Sequence, residues 1–115
     1  MTATLYGIKN CDTMKKAWTF LDNAGVAYDF HDYKKVGIDR ATLEGWVRQL
    51  GWEVLLNRAG TTFKKLADAD RQGLDEAKAI TLMLAQPSMI KRPVLDHGGK
   101  LYVGFKPETY AQLSN

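Results

Sequence analysis

The chain has 115 residues, enough for one hydrophobic core of ordinary size and too few for two independent ones. Its 45% hydrophobic, 10% aromatic and 25% charged residues are the make-up of a folded soluble protein and exclude disordered and fibrous classes. The net charge is +3, with seven cations and seven anions in residues 1–57 and the whole excess after them, a mild bias usually explained by a solvated basic face; it leaves room for a small anionic ligand and is more dilute than the Lys/Arg clusters of nucleic-acid binding.

Thr2 to Ile8 (TATLYGI) combines β-branched and aromatic residues without a charge, which predicts a strand buried in a sheet. From Cys11 a helical period takes over: Met14, Ala17, Trp18 and Leu21 fall at i, i+3, i+4 and i+7, and Gly25 supplies the stop. Val26 to Tyr33 alternates well enough for a second strand, the natural crossover partner of the first. Asp39 predicts a helix N-cap, with Ile38 and Leu43 as a hydrophobic staple, a stripe of Leu43, Trp46, Val47 and Leu50, and an end at Gly51. Shorter helical pieces are expected at Glu53 to Asn57 and Phe63 to Ala67, and a longer one at Asp75 to Gln86, closed by Pro87, with Lys78 on its solvent face. Trp46 and Trp52 are assigned to the core of this helical middle. Pro93 to Asp96 and Lys100 to Phe105, joined by a His97-Gly98-Gly99 turn, predict a β-hairpin, and Pro107 to Leu113 a last helix. The order βαβ, helices, ββα predicts an α/β fold: a thioredoxin-like mixed sheet in a single domain of residues 1–115, with a helical insertion at about 39–87.

The longest strongly apolar stretch, Ile80 to Ala85, is far short of the roughly 18 residues a membrane-spanning helix needs. The segment MTATLYGIKNCD lacks the basic-then-apolar pattern of a secretory signal. Cys11 is the only cysteine, so neither an internal disulfide nor a Cys-rich zinc site can form, and a lone thiol suits the reducing cytoplasm. His31 and His97 are too few and wrongly spaced for a metal site, so no metal is expected; they read as a strand residue and a turn residue.

Cys11 sits where the first strand hands over to the first helix, with Asn10 as the expected N-cap. Unpaired N–H groups in the first turn and the positive end of the helix dipole favour thiolate over thiol there. Lys9 adds to this and Asp12 opposes it, so a thiol pKa below the ordinary value is expected. Met14 stands where a CxxC motif would carry its second sulfur and instead begins the apolar stripe, so any redox cycle must borrow an external thiol.

YGIKNC at 6–11, LLNR at 55–58, KRPVL at 91–95 and VGF at 103–105 together resemble the arsenate reductase family over essentially the whole chain. Within it the chain is most similar to the YffB branch of small bacterial proteins, related also to the Spx transcriptional regulators. The resemblance implies a thioredoxin-like fold with Cys11 as the catalytic nucleophile. It also implies that arginines bind an anionic substrate or glutathione and that the proline after the last of them is cis, roles that fall on Arg92 and Pro93. Arg58 and Lys9 are further candidate cations for that ligand, and Asn10 is a cap or a substrate-polarising group. Arg92, held extended by the following proline, would offer a planar fork to a carboxylate or oxyanion.

Arsenate reductases place an arginine directly after the double leucine, where this chain has Asn57 and then Arg58, and another near the last helix, matched here by Gly104. Arsenate itself is therefore not the expected substrate. Spx proteins carry a dithiol, whose second sulfur is replaced here by Met14. Gly51 falls where they contact RNA polymerase, and helix termination explains a glycine there equally well. The resulting expectation is a glutathione-dependent monothiol reductase, monomeric, without a bound cofactor and off the membrane, acting on a small oxidised or anionic substrate. Its partner is glutathione or a glutaredoxin-like protein thiol. The alternative is a non-enzymatic regulator that binds RNA polymerase.

Overall fold

The uncharged run ATLYG forms β1 (Ala3–Gly7), an inner strand whose alternate residues Ala3, Leu5 and Gly7 are buried. A computed structural model describes residues 3–113, so Thr2, the expected first strand residue, lies outside the described residues. The chain divides into two compact units, one built from the sequence up to Val36 and from Arg92 onward, the other from Gly37–Lys91. Among the described residues the first unit holds one four-stranded sheet in the order β2-β1-β3-β4. Its elements are α1 (Asp12–Ala24), β2 (Asp29–Asp32), α2 (Tyr33–Val36), β3 (Val94–His97), β4 (Lys100–Val103) and α8 (Pro107–Tyr110). β1 pairs parallel with β2 and antiparallel with β3, which pairs antiparallel with β4. This is the mixed α/β sheet expected of a thioredoxin-like βαβ…ββα chain.

Local chemistry explains where the elements depart from the sequence periodicity. Gly25 closes α1 in the left-handed region at φ 71°, and the N–H groups of Gly25 and Val26 donate to the carbonyls of Asp22 and Leu21. Val26 is spent on this closure, so β2 starts later than an alternation beginning at Val26 predicts. Tyr33 opens the short α2 instead of ending the strand, because the Asp32 carboxylate accepts the Lys34 N–H at 2.9 Å and turns the chain. In the hairpin His97 pairs with Lys100, so His97 belongs to β3 and not to the turn. Gly98 and Gly99 at φ 61° and 93° form the two-residue loop that this pairing demands. Helix α8 stops at Tyr110, short of Leu113, because Gln112 and Leu113 donate to carbonyls three residues back, a tighter winding than an α-helix.

The core of this unit joins Ala3, Leu5 and Leu95 from the sheet to Met14, Ala17 and Leu21 from α1, with Val26 and Tyr110. Each of the larger side chains among them, Leu5, Met14, Leu21, Val26 and Leu95, contributes about 1.5–3 kcal/mol.

The second unit is helical: α3 (Arg40–Leu50), α4 (Trp52–Leu55), α5 (Thr61–Lys64), α6 (Asp68–Arg71), α7 (Glu76–Ala85) and a 3-10 turn at Pro87–Met89. Asp39 caps α3 by accepting the Thr42 N–H at 3.2 Å, and Asp75 caps α7 by accepting the Lys78 N–H at 2.8 Å. Helix α4 ends before Asn57 because Leu56 bridges to Ile90, flanked by bonds from Asn57 N–H to the Met89 carbonyl and from Lys91 N–H to the Leu55 carbonyl. This bridge takes the helical unit out to Lys91, beyond the expected limit near residue 87. Helix α5 stops at Lys64 because Ala67 turns extended to cap α6, a helix the periodicity does not announce. Lys78 does not simply face solvent: its Nζ donates to the carbonyls of Ala69 and Gln72 and ties the approach to α7. Trp46 is buried in this unit, whereas Trp52 is only half-buried. Among the described residues no helix is long and apolar enough to cross a membrane.

Tyr33 and Tyr110 are 4% and 1% exposed, and among the described residues neither hydroxyl has a hydrogen-bond partner. Burial pushes both hydroxyls well above the ordinary tyrosine value near 10. The unfolded chain releases these protons near pH 10 while the folded chain keeps them, so above that pH the folded state binds more protons and stability falls as pH rises. Urea midpoints should therefore fall above about pH 10, and less steeply in Tyr110→Phe than in the natural chain. An identical slope in the two proteins would remove the buried Tyr110 hydroxyl as a cause.

Candidate active site

The polypeptide leaves β1 at Gly7, passes the nearly buried Ile8 and the exposed Lys9 and Asn10, and enters α1 at Asp12. Cys11, not Asn10, is the N-cap: its backbone is extended at φ −144° and ψ 127°, and its carbonyl accepts the first helical bond, from Lys15 N–H at 3.0 Å. No side chain caps α1. Asn10 falls one residue too early because the helical turn opens at Asp12, and Cys11 thereby stands at the mouth of a 13-residue helix whose first N–H groups lack intrahelical partners. The thiol is half-exposed and packs against the sheet core on one side, so it is neither sealed in nor fully solvated.

Gly7 is what makes room for the Met14 side chain of α1. A Cβ built on Gly7 would meet the Met14 sulfur at 2.3 Å, and Met14 is 0% exposed. The sequence periodicity counts Gly7 only as one more strand residue, although a glycine inside an apolar strand is a known mark of close backbone approach. Met14 thus fills the place of a second redox sulfur as a core side chain.

Arg92 and Pro93 enter β3 beside the end of β1, since Tyr6 pairs with Val94 across the antiparallel ladder. The Arg92-Pro93 bond is cis, as the family resemblance implies. Pro93 is buried and its carbonyl accepts the Gly104 N–H at 2.8 Å, while Arg92 is half-buried. One end of the sheet therefore collects the Cys11 loop, Arg92, Pro93 and Gly104. Arg58 belongs to the helical unit, in the turn after the Leu56 bridge and not on a helix, with its guanidinium 5.9 Å from the Trp52 ring centre.

Lys9 lines a concave site of about 620 Å³ together with Tyr6, Asp29, His31 and Lys35. Its aromatic wall is the Tyr6–His31 pair, with ring centres 4.7 Å apart. Burial, and after it the Asp96 carboxylate, pushes the Tyr6 hydroxyl above its ordinary value. His31 is thus a packed strand residue, as its position in the pattern predicts.

Residues 6–113 match the model of the ArsC family. The chain belongs to the ArsC family. A solved structure named YffB is 68% identical, with 95% of this chain and 96% of the other covered and a TM-score of 0.92. A protein of Haemophilus influenzae, itself uncharacterized, is 38% identical over 107 residues, which cover 93% of this chain and 94% of the relative. An arsenate reductase of Rhizobium meliloti is 32% identical over 95 residues, covering 81% of this chain and 67% of the relative. The ArsC match spans both the Cys11 loop and the Arg92-Pro93 turn.

The Gly7–Met14 contact is open to a direct test. Gly7→Ala should destabilise the chain by about 1–3 kcal/mol through overpacking, read as a lower urea midpoint, and Gly7→Ala combined with Met14→Ala should lose less than the sum of the two single changes. Simple additivity would mean that the two positions do not confront each other.

Proposed function

We propose that this chain is a monothiol reductase that uses glutathione. The observation that carries the reading is Cys11 at the N-cap of α1, half-exposed, with the buried thioether of Met14 where a second thiol would have to stand. The Cys11 thiolate attacks the glutathione sulfur of a mixed disulfide, R–S–S–G, forming Cys11–S–S–G and releasing R–S⁻, which takes up a proton. A second glutathione thiolate then attacks Cys11–S–S–G, returning the Cys11 thiolate and giving oxidised glutathione. The substrate sulfur is reduced from disulfide to thiol as the incoming glutathione sulfur is oxidised from thiol to disulfide, while the glutathione sulfur of the mixed disulfide stays at the disulfide level throughout. Arg92 holds a glutathione carboxylate as a planar fork, with Lys9 as a further cation for the anionic ligand and Pro93 shaping the turn. Asn10, exposed and relieved of capping, is available to polarise the bound group.

Glutathione serves as co-substrate and no cofactor is held; a small protein thiol of glutaredoxin type is the other partner able to discharge Cys11. The enzyme works as a monomer, and a lone thiol cycling against glutathione suits the cytoplasm. Arsenate is a poor substrate on this reading, because Gly104 is in the left-handed region at φ 78°, where an arginine would be strained. The regulator reading draws on Gly51, but Gly51 at φ 89° with its N–H on the Val47 carbonyl is accounted for by ending α3.

Mass spectrometry after treatment with oxidised glutathione should give a single adduct that added glutathione removes, and Cys11→Ser should abolish both the adduct and turnover of a mixed disulfide. Arg92→Ala should weaken binding of S-methylglutathione about ten- to a hundredfold, the effect of losing a charge-assisted bond of roughly 1.5–3 kcal/mol. Arg40→Ala, which breaks only an exposed pair with Glu44, should change nothing. Equal affinities for the Arg92 and Arg40 variants would overturn the assignment of Arg92.

A further inference from the structure

We propose that Tyr33 is a positioning residue for Arg92: its buried hydroxyl oxygen accepts a guanidinium N–H when Arg92 closes on the carboxylate of a bound thiol ligand. The inference rests on the role given to Arg92 above and adds a residue that neither the motifs nor the helical and strand periods single out.

Tyr33 is only 4% exposed, and its hydroxyl has no partner among the described residues. An unpartnered buried hydroxyl costs stability, so its presence in the free protein asks what it is for. Its surroundings give the answer. The residue follows Asp32, which pairs with Gly7 at the end of the parallel ladder, and the Asp32 carboxylate fixes the turn by accepting the Lys34 N–H. The ring stacks on Tyr6, with centres 6.4 Å apart and planes 29° apart, and meets His31 edge-on at 5.8 Å. Tyr6 in turn pairs with Val94, two residues after Arg92. Tyr33 is therefore clamped at the end of the sheet where Arg92 enters it. Burial and the Tyr6 hydroxyl push the Tyr33 hydroxyl up, while the Arg92 guanidinium pulls it down, so the two side chains share one electrostatic neighbourhood.

A guanidinium carries five N–H donors in one plane, and a carboxylate gripped as a fork uses two of them. Others of the five can be donated to an oxygen of the protein. The Tyr33 hydroxyl, kept protonated by burial, offers a neutral oxygen with free lone pairs and adds no competing charge. A bond made only in the liganded state raises affinity without raising the stability of the free chain.

The test is a double-mutant cycle, Tyr33→Phe and Arg92→Ala singly and together, read by calorimetric titration with S-methylglutathione and by thermal unfolding. Tyr33→Phe should weaken binding about three- to tenfold, the effect of one hydrogen bond, and should leave the melting temperature of the free protein unchanged or higher. In the Arg92→Ala background the same change should have no effect on binding. If Arg92→Ala weakens binding and Tyr33→Phe does not, or if Tyr33→Phe weakens it equally with and without Arg92, the positioning role falls while the Arg92 reading stands. If Arg92→Ala itself leaves affinity untouched, both fall. A lower melting temperature in Tyr33→Phe would show the hydroxyl already bonded in the free chain and would overturn the inference.

Discussion

The close approach of α1 to β1 at Gly7 is the constraint on which the rest of the site depends. With no Cβ at that position the Met14 thioether lies directly over the strand, and α1 starts at Asp12 shortly after β1 ends at Gly7. That short handover brings Cys11 to the mouth of the helix. The side chain that packs on Gly7 is also the one three positions after Cys11, so a buried thioether stands there instead of a second thiol. Strand β1 then recruits the other participants through its two neighbours. Parallel β2 delivers Tyr33, and antiparallel β3 delivers Arg92 and the cis-proline turn.

Ion pairs contribute little to holding this arrangement. The pairs Arg40–Glu44 and Asp68–Arg71 are exposed partners one helical turn apart, of the kind that stabilise by only a few tenths of a kcal/mol. Packing carries the load instead, through fully buried side chains such as Leu5, Leu21 and Leu95. Lys9 is exposed on the loop that leads from β1 to Cys11.

Features written in local chemistry were legible in the sequence. The apolar stripe from Met14 to Leu21, the stop at Gly25, the cap at Asp39 and the hairpin around Gly98-Gly99 each depend on residues within a few positions of one another. The start of β2 was not legible, because the closure of α1 draws on Val26, a residue that alternation alone assigns to the strand. Asn10 and Cys11 can each precede a helix, and local sequence does not distinguish them; the helix opens at Asp12 and makes Cys11 the cap. The Leu56–Ile90 bridge joins positions 34 residues apart and leaves no local trace. At the site, Cys11 and the absence of a second sulfur follow from position and spacing, whereas Arg92 and the cis bond came from family resemblance and not from pattern. Tyr33 looked like one more strand aromatic, since nothing in a sequence reports that a hydroxyl will be buried without a partner.

The strand order β2-β1-β3-β4 also shapes how the molecule is made. β1 is synthesised first, yet its antiparallel neighbour β3 begins at Val94, so the contiguous Gly37–Lys91 unit has its whole sequence available while β1 still has one open edge. Until Val94–His97 is available an apolar edge of β1 lacks its antiparallel neighbour, the long sequence separation that slows folding and invites mispairing. The two strands that remain outermost when the sheet is complete are only four residues each, and β4 carries Lys100, so the finished protein presents far less of that hazard than its own precursor.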